Sequence, residues 1–103
     1  MKRLVRVARA YQHANQGDFY LEEGKVDSAL IEYDLATEYY PENPELPFWT
    51  AVSLASVNRI EEALPIFEEV FSRAPDLREL VPRLVPAGLL PDDDEVIGKI
   101  QKQ

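Results

Sequence analysis

The heptapeptide "GKVDSAL" at residues 24–30 returns in altered form as "NRIEEAL" at residues 58–64. Both stretches run from a turn-forming residue through a basic residue, a β-branched aliphatic residue and two polar or acidic residues to Ala-Leu. The two alanines, Ala29 and Ala63, are 63 − 29 = 34 residues apart. A fixed period of this size is typical of stacked helical repeats, in which each copy forms one helical hairpin.

The same register continues on both sides of the repeated phrase. Matched pairs are Gly17 with Ala51, Tyr20 with Leu54, Tyr33 with Phe67, and Pro41 with Pro75. Apolar residues inside each copy recur at helical spacing rather than in alternation, which excludes strands. The sequence therefore predicts one helix from near the N-terminus to about residue 23, and further helices over about 26–39, 45–57 and 60–73.

Turn-forming and helix-breaking residues separate these predicted helices. Gly24 and Asn58 favour tight turns, and a Pro-Glu-Asn-Pro stretch at residues 41–44 predicts the end of one helix and the cap of the next. Pro65 lies inside the fourth helix, where it should remove one backbone hydrogen bond and bend the helix.

After Pro75 a third unit begins and stays incomplete. Its apolar stripe comprises Leu77, Leu80, Val81, Leu84 and Val85. The stripe has helical spacing, and Pro86-Ala87-Gly88 ends it. The segment "PDDDEVIGKIQ" at residues 91–101 predicts a last short helix that starts at Pro91 and Asp92 and covers the open end of the stack.

Composition indicates one globular domain and excludes several classes of function. The chain has 103 residues, 46% of them hydrophobic, no cysteine and a net charge of −8. Such acidity repels phosphate backbones, so we expect no nucleic-acid binding. No leader or membrane-spanning stretch is visible, so we expect no membrane association and a cytoplasmic location.

The N-terminal residues carry the opposite charge to the rest of the chain. Lys2, Arg6, Arg9 and His13 fall on one helical face, with Arg3 beside them. A contact with a membrane or a nucleic acid is one interpretation of this stripe. The apolar face behind it is small, which favours solvation or pairing with the acidic body.

The two copies resemble the tetratricopeptide repeat (TPR) family. The first copy matches its signature at Gly17, Tyr20, Gly24, Ala29, Tyr33, Ala36 and Pro41, and the second at Ala51, Leu54, Ala63, Phe67 and Pro75. The copies depart from it at His13, Gln16, Pro47, Thr50 and Val70. The resemblance implies an all-α, right-handed solenoid of helical hairpins over residues 1–103, with repeats at about 10–43 and 44–77 and a partial third repeat and cap over 78–103.

The TPR resemblance also implies a non-catalytic scaffold that holds a peptide or a partner's helix in a concave groove. The corresponding positions are Tyr11, Asn15, Asp18, Glu22, Glu45, Phe48, Trp49 and Val52. They predict an aromatic floor with an acidic rim, and hence a basic or amphipathic partner. Alternatively, the helix over 45–57 is enclosed by its neighbours, and Trp49 packs on Leu80 and Leu84.

The C-terminal part is similar to the C-terminal region of an uncharacterised bacterial family whose N-terminal domain is hydrolase-like, of the N-terminal-nucleophile type. That similarity implies an alternative function, an accessory or self-associating domain of a larger protein. Two repeats leave apolar edge exposed, so a homodimer is also an expectation.

No constellation of residues predicts catalysis. His13 is the single histidine and lacks an evident partner, so a packing or surface role is favoured. The acidic run at residues 92–95 lacks the glycine and distal glutamate of a calcium loop and suits a helix start. We therefore expect no enzymatic activity, no metal and no cofactor.

Overall fold

A computed structural model describes residues 2–103, with side chains from Val5 onward, and over that range the chain is helical without strands. Its four long helices are α1 (Lys2–Glu22), α2 (Val26–Tyr39), α3 (Glu45–Ser56) and α4 (Ile60–Arg73). A 3₁₀ helix (Pro75–Leu80) leads into the short α5 (Val81–Leu84), and α6 (Asp94–Gln101) follows a loop.

The two hairpin turns occur where the sequence predicts them. Gly24 has φ +77° and Asn58 has φ +64°, a left-handed conformation that glycine and asparagine adopt most readily. Each turn returns the chain sharply, so α2 packs against α1 and α4 packs against α3. The bounds of α2 and α4 agree with those predicted, and α3 ends one residue earlier than predicted.

Each long helix packs on the next one along the chain, because α2 also contacts α3. The largest core cluster extends from α3 to α6 and centres on Phe48, Phe67 and Phe71. The rings of Phe48 and Phe67 meet edge to face at 5.9 Å, and those of Phe67 and Phe71 stack at 5.6 Å. Such contacts add to the free energy gained by burying the rings.

Small residues mark the closest approaches between helices. Ala29 and Ala63, the alanines of the repeated phrase, are both fully buried. At Gly17 of α1, an added Cβ atom would lie 2.6 Å from the ring of Tyr33 on α2. Tyr33 is itself fully buried, so the ring rests directly on the backbone of α1.

A second contact network fixes the connection between the two hairpins. The Arg73 guanidinium, at the end of α4, donates to the backbone carbonyls of Pro41 and Glu42, both at 3.0 Å. Asn43 then accepts a hydrogen bond from the backbone N–H of Glu45 at 3.0 Å, as predicted for a residue that caps the next helix.

The C-terminal third differs from the prediction in detail. The stripe after Pro75 forms a 3₁₀ helix and a single turn of α-helix instead of one regular helix, although Leu77, Val81 and Leu84 are buried. The last helix is capped by Asp93 rather than by Asp92: its side chain accepts from the N–H groups two and three residues ahead. This helix packs on α4 and α5.

We expect Gly17→Ala to destabilise the protein. The new methyl group would overlap the buried Tyr33 ring, and overpacking of this kind costs about 1–3 kcal/mol. Urea unfolding followed by circular dichroism measures the loss.

Gly98→Ala in α6 is the matched control, because an added Cβ there meets nothing within 4 Å. Helix propensity should make this variant more stable by about 0.5–1 kcal/mol. Equal effects of the two substitutions would contradict the contact between Gly17 and Tyr33.

Candidate partner-binding cleft

Helices α1 and α3 and the loop before α6 enclose a cleft of about 210 Å³. Its lining consists of Asp18, Leu21 and Glu22 of α1, Trp49 of α3, and Leu89 of the loop. Three apolar side chains therefore face two carboxylates that lie one helical turn apart on α1.

The orientation of Asp18 is set from inside the protein. The buried Tyr33 hydroxyl donates a hydrogen bond of 2.6 Å to Asp18 Oδ1. Burial raises the pKa of the Tyr33 phenol above its ordinary value of 10.0, and the hydrogen bond to Asp18 and the charges of Asp18 and Glu22 raise it further. Tyr33 therefore remains a neutral donor, and its hydrogen bond engages one of the two carboxylate oxygens of Asp18.

The indole of Trp49 is held on one side by the core. Its ring meets the fully buried Phe48 edge to face at 5.4 Å, and Trp49 packs against the large core cluster. Trp49 itself is only partly buried, and it lines the cleft. Trp49 thus packs against the core on one side and borders the cleft on the other.

Two of the predicted groove residues lie in the interior. Phe48 and Val52 are fully buried, so neither presents any surface to a partner in this packing. Helix α3 is enclosed by α2, α4 and the C-terminal segment, which agrees with the alternative that its neighbours cover it. Phe48 instead packs against Trp49 on the core side of the cleft.

The remaining predicted residues are exposed but lie outside the cleft. The Tyr11 hydroxyl accepts a hydrogen bond of 3.2 Å from Asn43 Nδ2, and its ring meets Tyr40 edge to face. Glu45 is exposed in the first turn of α3. Asn15 borders a separate polar hollow between α1 and α2. The structure thus gathers Asp18, Glu22 and Trp49, and it separates them from the other predicted positions.

Leu21 and Leu89 complete the lining of the cleft. The sequence places Leu21 near the predicted groove, but it does not predict the position of Leu89. Leu21 lies on α1 between Asp18 and Glu22, which are both predicted groove residues. Leu89 follows Gly88, which has φ +81°, in a loop that belongs to neither repeat. Its approach to Trp49 depends on the path of the chain after α5, for which the period of 34 residues supplies no information.

His13 has a partner that the sequence analysis missed. Its Nδ1 lies 2.7 Å from Glu32 Oε2 on α2. The imidazole also stacks on the Tyr39 ring, with the ring centres 5.5 Å apart. The Arg9 guanidinium lies 5.9 Å from the centre of the Tyr39 ring. These contacts join α1 to α2, so His13 has the packing role that was favoured. The side chains of Lys2 and Arg3, which complete the predicted basic stripe, lie outside the described part.

Neither a metal site nor a membrane span is visible in the part of the chain that the structure describes. Across those residues, no group of three or more histidines or carboxylates is placed to share a metal ion. None of the described helices has both the length and the apolar character that crossing a bilayer requires.

No protein-family model, curated protein or solved structure matches this chain. The likeness to TPR repeats therefore rests on the residues of the two copies alone.

We expect Tyr33→Phe to change how stability depends on pH. Above about pH 10 an unfolded tyrosine loses its proton while the folded Tyr33 keeps it, so unfolding becomes easier as the pH rises. The stability of the wild type should therefore fall relative to Tyr33→Phe, by up to about 1.4 kcal/mol for each pH unit above that point.

Urea unfolding of both proteins at several values between about pH 8 and pH 11 tests this expectation. Below about pH 9 the variant should be the less stable protein, by about 1–2 kcal/mol, because it lacks the hydrogen bond to Asp18. If the stability of the two proteins had the same dependence on pH, the raised pKa of the Tyr33 phenol in the folded state would be contradicted.

Proposed function

We propose that this chain is a non-catalytic protein-interaction module with a TPR-like arrangement, and that it binds a basic, amphipathic segment of a partner protein. The observation that carries the proposal is the cleft in which Asp18 and Glu22 stand beside Leu21, Trp49 and Leu89. The bound segment would be a short helix or an extended peptide with an apolar side chain next to a lysine or arginine.

The lining of the cleft favours this kind of ligand over a polar or an anionic one. Partly exposed tryptophan held against a rigid core is the type of residue that dominates interface energies. The two adjacent carboxylates would pair with a cation and would repel an anionic residue. Since the phenol of Tyr33 fixes one of them, little side-chain entropy remains to be lost when a cation binds.

The TPR-like arrangement is supported by the equivalent surroundings of equivalent residues. Ala29 and Ala63 are both fully buried, and so are the aromatic residues four positions later, Tyr33 and Phe67. Each of the two hairpins closes through a residue with positive φ at the same place in the repeat. This repetition favours two copies of one structural unit over four unrelated helices.

The non-catalytic part of the proposal is supported by the contacts of the titratable groups around the cleft. Tyr33 is buried and donates to Asp18, so it is not available as an acid for a substrate. His13 is engaged with Glu32 and Tyr39, away from the cleft residues. A general acid or base must lie within reach of the group with which it exchanges a proton. The Tyr33 hydroxyl is held by Asp18 and His13 does not line the cleft, so neither is placed to serve a ligand bound there.

An array of synthetic peptides tests the proposal directly. The peptides share one amphipathic pattern and differ in whether the polar positions are lysine, glutamine or glutamate. We expect binding only by the lysine series, and weaker binding as the salt concentration rises to about 1 M, where the Debye length is about 3 Å. The best peptide is then titrated into the protein variants by fluorescence anisotropy.

Glu22→Lys should weaken the binding of that peptide at least about tenfold, which corresponds to about 1.4 kcal/mol. Trp49→Glu should have a comparable or larger effect. The matched control is Glu68→Lys, which makes the same charge change at an exposed position of α4 and should leave affinity within about twofold.

Thermal unfolding of each variant separates lost binding from lost folding. Equal binding by the glutamate series, or an equal loss of affinity in Glu68→Lys, would overturn the proposal.

A further inference from the structure

Helix α1 has a solvent-facing side that is independent of the cleft and carries the spacing of a helix-pairing seam. Val5, Ala8, Gln12, Asn15 and Phe19 follow one another at alternating intervals of three and four residues, and all five are exposed. Val5 is 53% exposed and Phe19 is 54% exposed. Alternating intervals of three and four are the pattern of residues that meet a neighbouring helix along its whole length.

The charges along α1 are divided between its two ends. Residues 2–9 include four basic residues and no acidic residue. Residues 18–23 include Asp18, Glu22 and Glu23 and no basic residue. The helix is therefore positive in its first half and negative in its last turn and a half.

We propose that α1 pairs with α1 of a second copy of this chain in antiparallel orientation through this seam, which we call the α1 seam. An antiparallel pair places the basic half of each helix beside the acidic half of the other, whereas a parallel pair would place like charges together. The α1 seam does not include Leu21, Trp49 or Leu89, and the proposal does not rest on the peptide-binding function.

The residue sizes along the α1 seam fit one antiparallel register. When the twofold axis passes between His13 and Ala14, Ala8 of each copy faces Phe19 of the other, so the largest side chain of the seam meets the smallest. In the same register Gln12 faces Asn15, and their side-chain amides can form hydrogen bonds with each other. Val5 lies opposite Glu22 in this register, so each side of the twofold axis has one apolar contact, one polar pair and one mixed contact at the helix end.

A second copy is the occupant that the charge distribution favours. Each chain carries a net charge of −8, so most approaches of two copies are repulsive. The outer face of α2 is one such acidic surface, with Asp27, Asp34 and Glu38 exposed. When the two copies meet through α1, the basic half of each helix attracts the acidic end of the other. The charge distribution therefore favours contact through the α1 seam.

The size of the contact predicts a weak, reversible dimer. With 21 residues, α1 is about 31 Å long. A pair of helices of this length buries on the order of 1,000 Å² in total, which is the lower limit for a specific interface. Dissociation constants in the micromolar to millimolar range are therefore expected.

Sedimentation equilibrium on the intact chain, up to about 1 mM, measures this association. Phe19→Glu should raise the dissociation constant of the dimer at least about tenfold. Ile31→Glu is the matched control, since Ile31 is 62% exposed on the outer face of α2 and the substitution adds the same charge. The control should change the dissociation constant by no more than about twofold.

Cross-linking tests the orientation with Phe19 left in place. The chain has no cysteine, so Val5→Cys and Glu23→Cys each introduce a single thiol. In the antiparallel pair these two positions lie side by side, while either position is on the order of 27 Å from its own copy in the partner. A short bis-maleimide reagent should therefore link the two variants to each other in a mixture and should not link either variant to itself.

Three results would each overturn the proposal: a monomer throughout the concentration range, an equal effect of Ile31→Glu, or cross-linking of each variant mainly to itself.

Discussion

The contact between the Tyr33 ring and the backbone of α1 at Gly17 determines how the first hairpin is built and what it presents. A residue with a side chain at position 17 would hold α2 away from α1. With glycine there, the ring lies flush against α1 and its hydroxyl reaches Asp18, the next residue along the helix. One close approach therefore positions both the helix pair and the first carboxylate of the cleft. A buried phenol also requires a partner, and Asp18 is that partner.

In the second hairpin the equivalent aromatic ring packs without a polar group. Phe67 replaces Tyr33 and lies among Phe48 and Phe71, so no hydroxyl has to be satisfied. The difference has a structural consequence. The first hairpin keeps α1 at the surface with a charged residue anchored to it, whereas the second is enclosed by the C-terminal segment and supplies a rigid apolar base. The cleft lies where the two kinds of hairpin meet, between an anchored carboxylate and a supported indole.

The sequence predicted the helices much better than it predicted the cleft. Helix ends are set by local chemistry, such as the left-handed residues Gly24 and Asn58, and the period of 34 residues shows that chemistry twice. Burial depends on what covers a helix, and α3 is covered by α2, by α4 and by the segment after Pro75, in which the third repeat stays incomplete. For that reason Phe48 and Val52 were expected at a groove surface and are in the interior, while Leu89 was not expected in the cleft at all. The contact of His13 with Glu32 was missed because the two residues are 19 positions apart in sequence and lie on different helices.

The acidic surface of the protein and the apolar cleft at Trp49 would contribute differently to the binding of a partner. The outer face of α2 carries Asp27, Asp34 and Glu38. Partial burial raises the pKa of the Asp34 carboxyl, and the neighbouring charge of Glu38 raises it further. Such a surface attracts cations from a distance but holds them weakly, because exposed ion pairs contribute little to affinity and are screened by salt. Affinity has to come from desolvated apolar contact, and the cleft at Trp49 combines apolar side chains with a fixed carboxylate. The acidic body would thus accelerate encounter with a basic partner, and the cleft would determine where that partner stays.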